Sequence, residues 1–136
     1  MANLRSSEKI SSDVVVVGLH KKNGKTVIAT SATSLDTKKL QQYVDDIGAS
    51  AKPDDVSKIA FGSPKVIITT GLGEKDLTPE TLRRAAGAAA RALAGTTSAD
   101  FALPTKNSQE FAAVAEGAAL GAYSFTEFRE IGRAHV

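Results

Sequence analysis

Apolar positions along the chain fall into two kinds of run, continuous and stepped, and the two kinds predict different elements. Asp13-Val14-Val15-Val16-Val17-Gly18-Leu19 is continuous. Four consecutive β-branched valines, apolar on both faces, predict a strand covered on both sides. His20-Lys21-Lys22-Asn23-Gly24-Lys25 follows, and Asn-Gly predicts a hairpin because both residues tolerate positive φ. Thr26-Val27-Ile28-Ala29-Thr30 is then the returning strand. Leu40, Tyr43, Val44 and Ile47 step at i, i+3, i+4 and i+7, one buried stripe of a helix. Ser34 or Asp36 can cap its start, and Gly48 sits where a left-handed C-terminal cap belongs.

Ala49 to Asp55 reads as a long surface loop. Ser57 to Phe61 and Lys65 to Thr70 predict two more strands, broken by Gly62-Ser63-Pro64. The second carries Val66-Ile67-Ile68, again apolar on both faces, and runs into Gly71-Leu72-Gly73. The following helix has Thr78 as N-cap, Pro79 at its first position and a Leu77–Leu82 staple. Its body, Leu82 to Ala94, is nearly all Ala, Leu and Arg, and Gly95 closes it. Ser98 to Leu103 predicts a strand ended by Pro104. Asn107 with Glu110 forms a capping-box pattern, and Phe111, Val114, Ala115, Ala118 and Ala122 continue the buried side of a last helix. This alternation predicts an α/β fold of three layers: a mixed, mostly parallel sheet flanked by helices.

Composition sharpens the picture in three ways. Of the 136 residues 22 are alanine, aromatics are 5% and Trp is absent, so the core must work by close backbone approach rather than large anchors. There is no cysteine, which excludes disulfides, thiolate metal sites and a cysteine nucleophile. Net charge is +2, too small an excess to imply a nucleic-acid partner by itself. No segment reaches the roughly 18 consecutive apolar residues of a membrane span. The polar, charged start from Met1 to Ile10 has no apolar export region, so a cytoplasmic location without a membrane partner is expected.

Candidate chemistry is sparse. Gly71-Leu72-Gly73 after a strand invites a phosphate, but a third glycine is missing and Glu74 and Asp76 follow at once with only Lys75 between them. A tight strand-to-helix turn is the plainer reading. His20 falls in the expected hairpin turn without a partner at ligand spacing, and His135 is the penultimate residue. Asp45-Asp46, adjacent on the solvent side of the helix stripe and so not facing each other, and Asp54-Asp55, in the loop after Pro53, both read as surface charge. Lys21, Lys22 and Lys25 could meet phosphate backbones, but no aromatic residue is interleaved with them. No serine-hydrolase motif is present. The residues therefore offer no catalytic, cofactor-binding or metal site.

Three stretches together resemble the N-terminal domain of the leucyl (cytosol) aminopeptidase family of metallopeptidases. They are Val66-Ile67-Ile68-Thr69-Thr70-Gly71-Leu72-Gly73, Leu82-Arg83-Arg84-Ala85-Ala86-Gly87-Ala88-Ala89-Ala90-Arg91-Ala92-Leu93, and Glu116-Gly117-Ala118-Ala119-Leu120-Gly121-Ala122-Tyr123-Ser124-Phe125, the last being the most specific. The resemblance runs from about Asp13 to Arg129. It implies a macro-domain-like α/β domain that helps arrange a homo-hexamer. It also implies that two divalent metal ions, zinc or manganese, and the peptide substrate belong to a larger C-terminal domain. That domain's hallmark Asn-Thr-Asp-Ala-Glu-Gly-Arg-Leu is absent here, so no catalytic or ligand residue carries over.

Residues 1–12 are then a flexible N-terminus, 13–129 the domain and 130–136 a non-native tail. Ile131-Gly132-Arg133-Ala134-His135-Val136 coincides with one translated frame of a common short-read sequencing adapter, and the segment from Glu130 onwards is expected to pack against nothing. The leading expectation is a truncated, non-catalytic aminopeptidase domain. Its rivals are a stand-alone macro-like nucleotide-binding module using Gly71–Gly73 and a nucleic-acid-contacting domain using Lys21, Lys22 and Lys25.

Overall fold

The valine run forms the centre of the sheet. The computed structural model describes residues 3–7, 12–93, 98–121 and 127–131, and for 3–7 and 127–131 the backbone alone. In chain order the elements are β1 (Asn3–Ser7), β2 (Val14–Lys22), β3 (Lys25–Ala29), α1 (Thr37–Ile47), β4 (Val56–Ala60), β5 (Val66–Gly73), α2 (Pro79–Arg91), β6 (Ser98–Phe101), α3 (Ser108–Gly121) and β7 (Glu127–Ile131). The described strands form one seven-stranded sheet in the order β1-β7-β6-β2-β5-β4, with β3 also on β2. Neighbours are parallel except β3 on β2 and β4 on β5, which are antiparallel.

Two strands share one edge of β2. Val15 and Val16 pair with Asp100 and Phe101 of β6, while Gly18 to Lys22 pair with Ala29 to Lys25 of β3. The junction is tied at Ala102. Its N–H donates to the Val16 carbonyl at 2.7 Å, and its carbonyl accepts from Ser31 N–H at 3.2 Å and Thr30 Oγ1 at 2.6 Å. Both faces of β2 are covered, as the valine pattern requires. Val16, Ile68 and Phe101 pack under α2 and α3; Val15, Val17, Leu19 and Ile67 pack under α1.

On the α1 side, Gln41 closes the outer edge of β3. Its Oε1 accepts from Ile28 N–H at 3.2 Å and its Nε2 donates to the Thr26 carbonyl at 2.9 Å, standing in for a neighbouring strand. On the opposite face the small residues anticipated from composition bring α2 and α3 together. A Cβ on Gly117 would overlap the Arg83 carbonyl, and one on Gly121 would lie 2.7 Å from the Gly87 carbonyl oxygen.

The capping predictions hold: Asp36 caps α1, Gly48 ends it in the left-handed region, and Thr78 caps α2 with Pro79 following. Asn107 Oδ1 accepts from Glu110 N–H at 2.8 Å, while Glu110 reaches back to Lys106 N–H at 2.9 Å. Several expectations differ. Ile47 is 55% exposed, because α1 ends one turn past the sheet contact of Val44. Helix α2 stops at Arg91, and Gly95 and Ala122 lie outside the described residues. The segment read as a flexible N-terminus contributes β1, which pairs with β7. Glu130 and Ile131, read as packing against nothing, belong to β7: Glu130 pairs with Phe101 and Ser6, and Ile131 with Ser7. Backbone hydrogen bonding needs no periodic apolar pattern, so neither strand announced itself in the sequence.

Glycines on the two sides of the α2–α3 seam should therefore respond oppositely to alanine. Gly117→Ala forces two backbones apart and should destabilise the domain by about 1–3 kcal/mol before the helix-propensity gain, leaving a net loss. At Gly87 an added Cβ meets nothing closer than Arg91 Nη1 at 3.4 Å. Gly87→Ala should stabilise by up to about 1 kcal/mol. Urea denaturation of both variants checks the pair.

Candidate functional site

The end of β5, the loop before β4 and the start of α2 enclose a cleft of about 480 Å³. Its walls include Ala51, Lys52, Pro53, Leu72, Lys75, Thr78 and Arg84. Ala51, Lys52 and Pro53, from the surface loop expected over 49–55, form one wall of this cleft. Ala51 is buried, and the Lys52 carbonyl lies so close to β5 that a Cβ on Gly71 would overlap its oxygen. Glycine at 71 is thus required by a close approach of two backbones.

This geometry corrects the reading of Gly71-Leu72-Gly73 as a turn. All three residues belong to β5, and the turn comes after them. It also tests phosphate binding there. The Gly71 N–H donates to the Asp55 carbonyl at 2.9 Å, and the Gly73 N–H to the Ala51 carbonyl at 2.7 Å. Donors already committed to carbonyls cannot cradle an anion without breaking the wall of the cleft.

Charge around the cleft is mixed. Arg84 grips Asp54 with two prongs, Nε to Oδ1 at 2.9 Å and Nη2 to Oδ2 at 2.5 Å. The hydrogen bond from Arg84 holds the Asp54 carboxyl below its ordinary value of 3.8, and the same contact raises Arg84. Arg83 turns the other way, pairing with Glu80 and, through Nε at 2.8 Å, with Glu116 of α3.

His20 is not in the hairpin turn. It lies on β2, half-buried, with Nε2 2.9 Å from the Lys75 carbonyl. His135 lies outside the described residues. Lys21 and Lys22 end β2, and Lys25 opens β3 opposite Lys22. Asp45 and Asp46 are exposed on α1, with Asp45 accepting from Gln41. The cleft itself was not visible in the sequence, because Lys52, Leu72 and Arg84 meet only through the fold; the one available signal was glycine at 71. Among the described residues no three His, Cys, Asp or Glu side chains are placed to hold a metal ion, so they do not fit a two-metal centre. Nor is any described helix long and apolar enough to cross a membrane.

What the geometry defines is an α/β domain with a modest cleft. Comparison with known proteins agrees with that class and narrows it. The family described as "Cytosol aminopeptidase family, N-terminal domain" matches residues 16–131, and the chain belongs to this family. It is 41% identical over 132 residues to the "Probable cytosol aminopeptidase" of Streptomyces coelicolor, covering 88% of this chain and 25% of that protein. A protein of the same name from Leifsonia xyli is 38% identical, covering 96% of this chain and 26% of its own length. The chain thus spans about a quarter of the length of these curated relatives.

Among solved structures, the bottromycin maturation enzyme BotP in complex with Mn superimposes with a TM-score of 0.63 at 25% identity, covering 88% of this chain and 26% of that one. A mutant of tomato leucine aminopeptidase gives a TM-score of 0.70 at 16% identity over the whole of this chain and 33% of that one, a likeness of fold.

Two outcomes follow from the cleft. Calorimetry with ADP-ribose should detect no micromolar complex, because the glycine N–H groups are occupied and Glu74 and Asp76 repel phosphate; a micromolar complex would promote the nucleotide-module reading. The Asp54–Arg84 pair should also mark the pH dependence of stability. A carboxyl whose folded pKa is lowered contributes above its unfolded value and loses that contribution as pH falls through the folded one. Arg84→Gln should therefore lower Tm at neutral pH, and the difference from the parent should shrink below pH 3.8 and at high salt.

Proposed function

We propose that this chain is the non-catalytic N-terminal domain of a cytoplasmic metallo-aminopeptidase, and that it serves to arrange subunits in a homo-hexamer. The reaction, removal of N-terminal residues from peptides, belongs in this reading to the three-quarters of the relatives that the chain does not span. Two divalent ions, zinc or manganese, bind there, activating a water and polarising the scissile carbonyl. The observation that carries the reading is the family match over residues 16–131, together with the quarter-length coverage of the relatives. The Mn named for BotP supports the choice of metal. The names of the curated relatives support the compartment. We read residues 13–129 as the domain and 130–136 as a non-native tail; the family match covers most of the first and the first two residues of the second.

The test is a hybrid in which residues 1–131 replace the N-terminal quarter of the Streptomyces coelicolor relative. The hybrid should release leucine from a leucyl substrate in a metal-dependent way and sediment at the same size as the relative itself. The 136-residue chain supplied with zinc or manganese should release none. Metal-dependent release by the chain alone would overturn the assignment of chemistry to the missing part. An active hybrid of smaller size would remove the subunit-arranging role.

A further inference from the structure

Among the described residues the outer edges of β1, β4 and β3 have no partner strand, because β3 pairs with β2 alone. An edge strand presents N–H and C=O groups that can template another strand. Along β3 those groups belong to Thr26 and Ile28. Gln41 holds the Thr26 carbonyl and the Ile28 N–H, so both point away from β2, and in an antiparallel ladder the N–H and C=O of one residue point the same way. The Gln41 carboxamide is chemically a peptide group, and it fills the place of one residue of a neighbouring strand. Its Nε2 also donates to Asp45 Oδ1 at 3.0 Å, which fixes its orientation. On either side of it the trough between β3 and α1 is open, with hollows of about 550 Å³ and about 690 Å³ that Val27, Gln41 and Asp45 line in common.

The strand that best fits this edge is β3 itself. Laid antiparallel on a second copy and centred on Val27, it sets Thr26 opposite Ile28 of that copy, so each outward residue meets an outward residue and the two exchange hydrogen bonds. Val27 then faces its counterpart, a β-branched cross-strand pair, and Lys25 faces Ala29 rather than another lysine. Val27 is half-buried yet belongs to neither hydrophobic cluster, so it is an apolar side chain at the edge that serves no core. Strand β4 differs. The Asp55 carbonyl accepts from Gly71 N–H and the Phe61 N–H donates to the Lys65 carbonyl, which turns Val56, Lys58 and Ala60 outward. Its fullest antiparallel overlap with a copy sets Lys58 against Lys58, like charges directly opposite. A central lysine thus protects β4, whereas β3 has valine at its centre and is covered by Gln41.

We propose that the outer edge of β3 is a pairing site for β3 of a second copy of this chain, and that Gln41 competes with that copy for the Thr26 carbonyl and the Ile28 N–H. The inference does not depend on the function proposed above, since it concerns contacts of the chain by itself. With Gln41 and Asp45 in place the edge is satisfied within one chain, and pairing has to displace the Gln41 hydrogen bonds in each copy. Once Gln41 swings into the trough, the strand of the second copy supplies those bonds again and adds the Val27 contact.

Analytical ultracentrifugation of the 136-residue chain and its variants over a concentration series tests the competition. Gln41→Ala uncovers the edge and should lower the dimer dissociation constant at least about tenfold. Asp45→Ala keeps Gln41 but releases its orientation, and should shift the constant in the same direction by a smaller factor. Adding Val27→Lys to Gln41→Ala sets like charges face to face and should restore the value of the unsubstituted chain or weaken association further. A Gln41→Ala chain with unchanged far-UV circular dichroism that associates no more tightly than the unsubstituted chain overturns the proposal. Should Gln41→Ala fail to fold, Asp45→Ala decides, and an unchanged dissociation constant there overturns it as well. Association of Gln41→Ala that survives Val27→Lys overturns the β3 edge in favour of another surface.

Discussion

Strand β2 is buried on both faces, and the rest of the domain is arranged to meet that condition. A strand with Val15, Val16, Val17 and Leu19 all fully buried needs a helix layer above and another below. Helix α1 supplies one layer, and α2 with α3 supplies the other. Three parallel or antiparallel partners along its two edges then satisfy its backbone. The shared edge, with β6 on the first half and β3 on the second, lets a nine-residue strand serve two neighbours of different direction. Ala102 is the hinge point of that arrangement, since its N–H and carbonyl tie β6 to β2 and to the chain leaving β3.

The layer built by α2 and α3 shows how a chain poor in large side chains makes a firm core. Each alanine buries little area, so the stabilisation per contact is small. Close packing compensates by bringing many atoms into van der Waals range at once. The arrangement tolerates no Cβ at Gly117, because the Arg83 carbonyl occupies that space. The same economy appears at Gly71, where the loop carbonyl of Lys52 lies against β5. Both glycines belong to the stretches through which the chain resembles its family, and both have a steric reason to be glycine. Gly71 had invited a phosphate reading, but its N–H and that of Gly73 hold the loop wall instead. Membership in the cytosol aminopeptidase family as its N-terminal domain fits a structure whose motifs are about packing.

From β2 to α3, element type and order were determined by the sequence itself. Continuous β-branched runs marked β2 and β5, helical stepping marked α1 and α3, and Asp36, Gly48, Thr78, Pro79 and Asn107 marked their ends, because caps and periodicities are local physics. The small-residue composition also pointed to close helix packing, and three motif stretches pointed to the family. What only the tertiary structure decided were the relations between distant segments. These include the pairing of β1 with β7, strands with little pattern of their own that are held by backbone hydrogen bonds. They include the cleft, whose Lys52, Leu72 and Arg84 are brought together by loop closure. They include the rotation of α3, where Gly117 and Gly121 set the seam and leave Phe111 and Ala115, expected inside, half-buried at the flank. A periodic pattern says that a helix has an apolar side; which part of that side meets the core depends on the shape of the neighbour, and that shape exists only once the chain has folded.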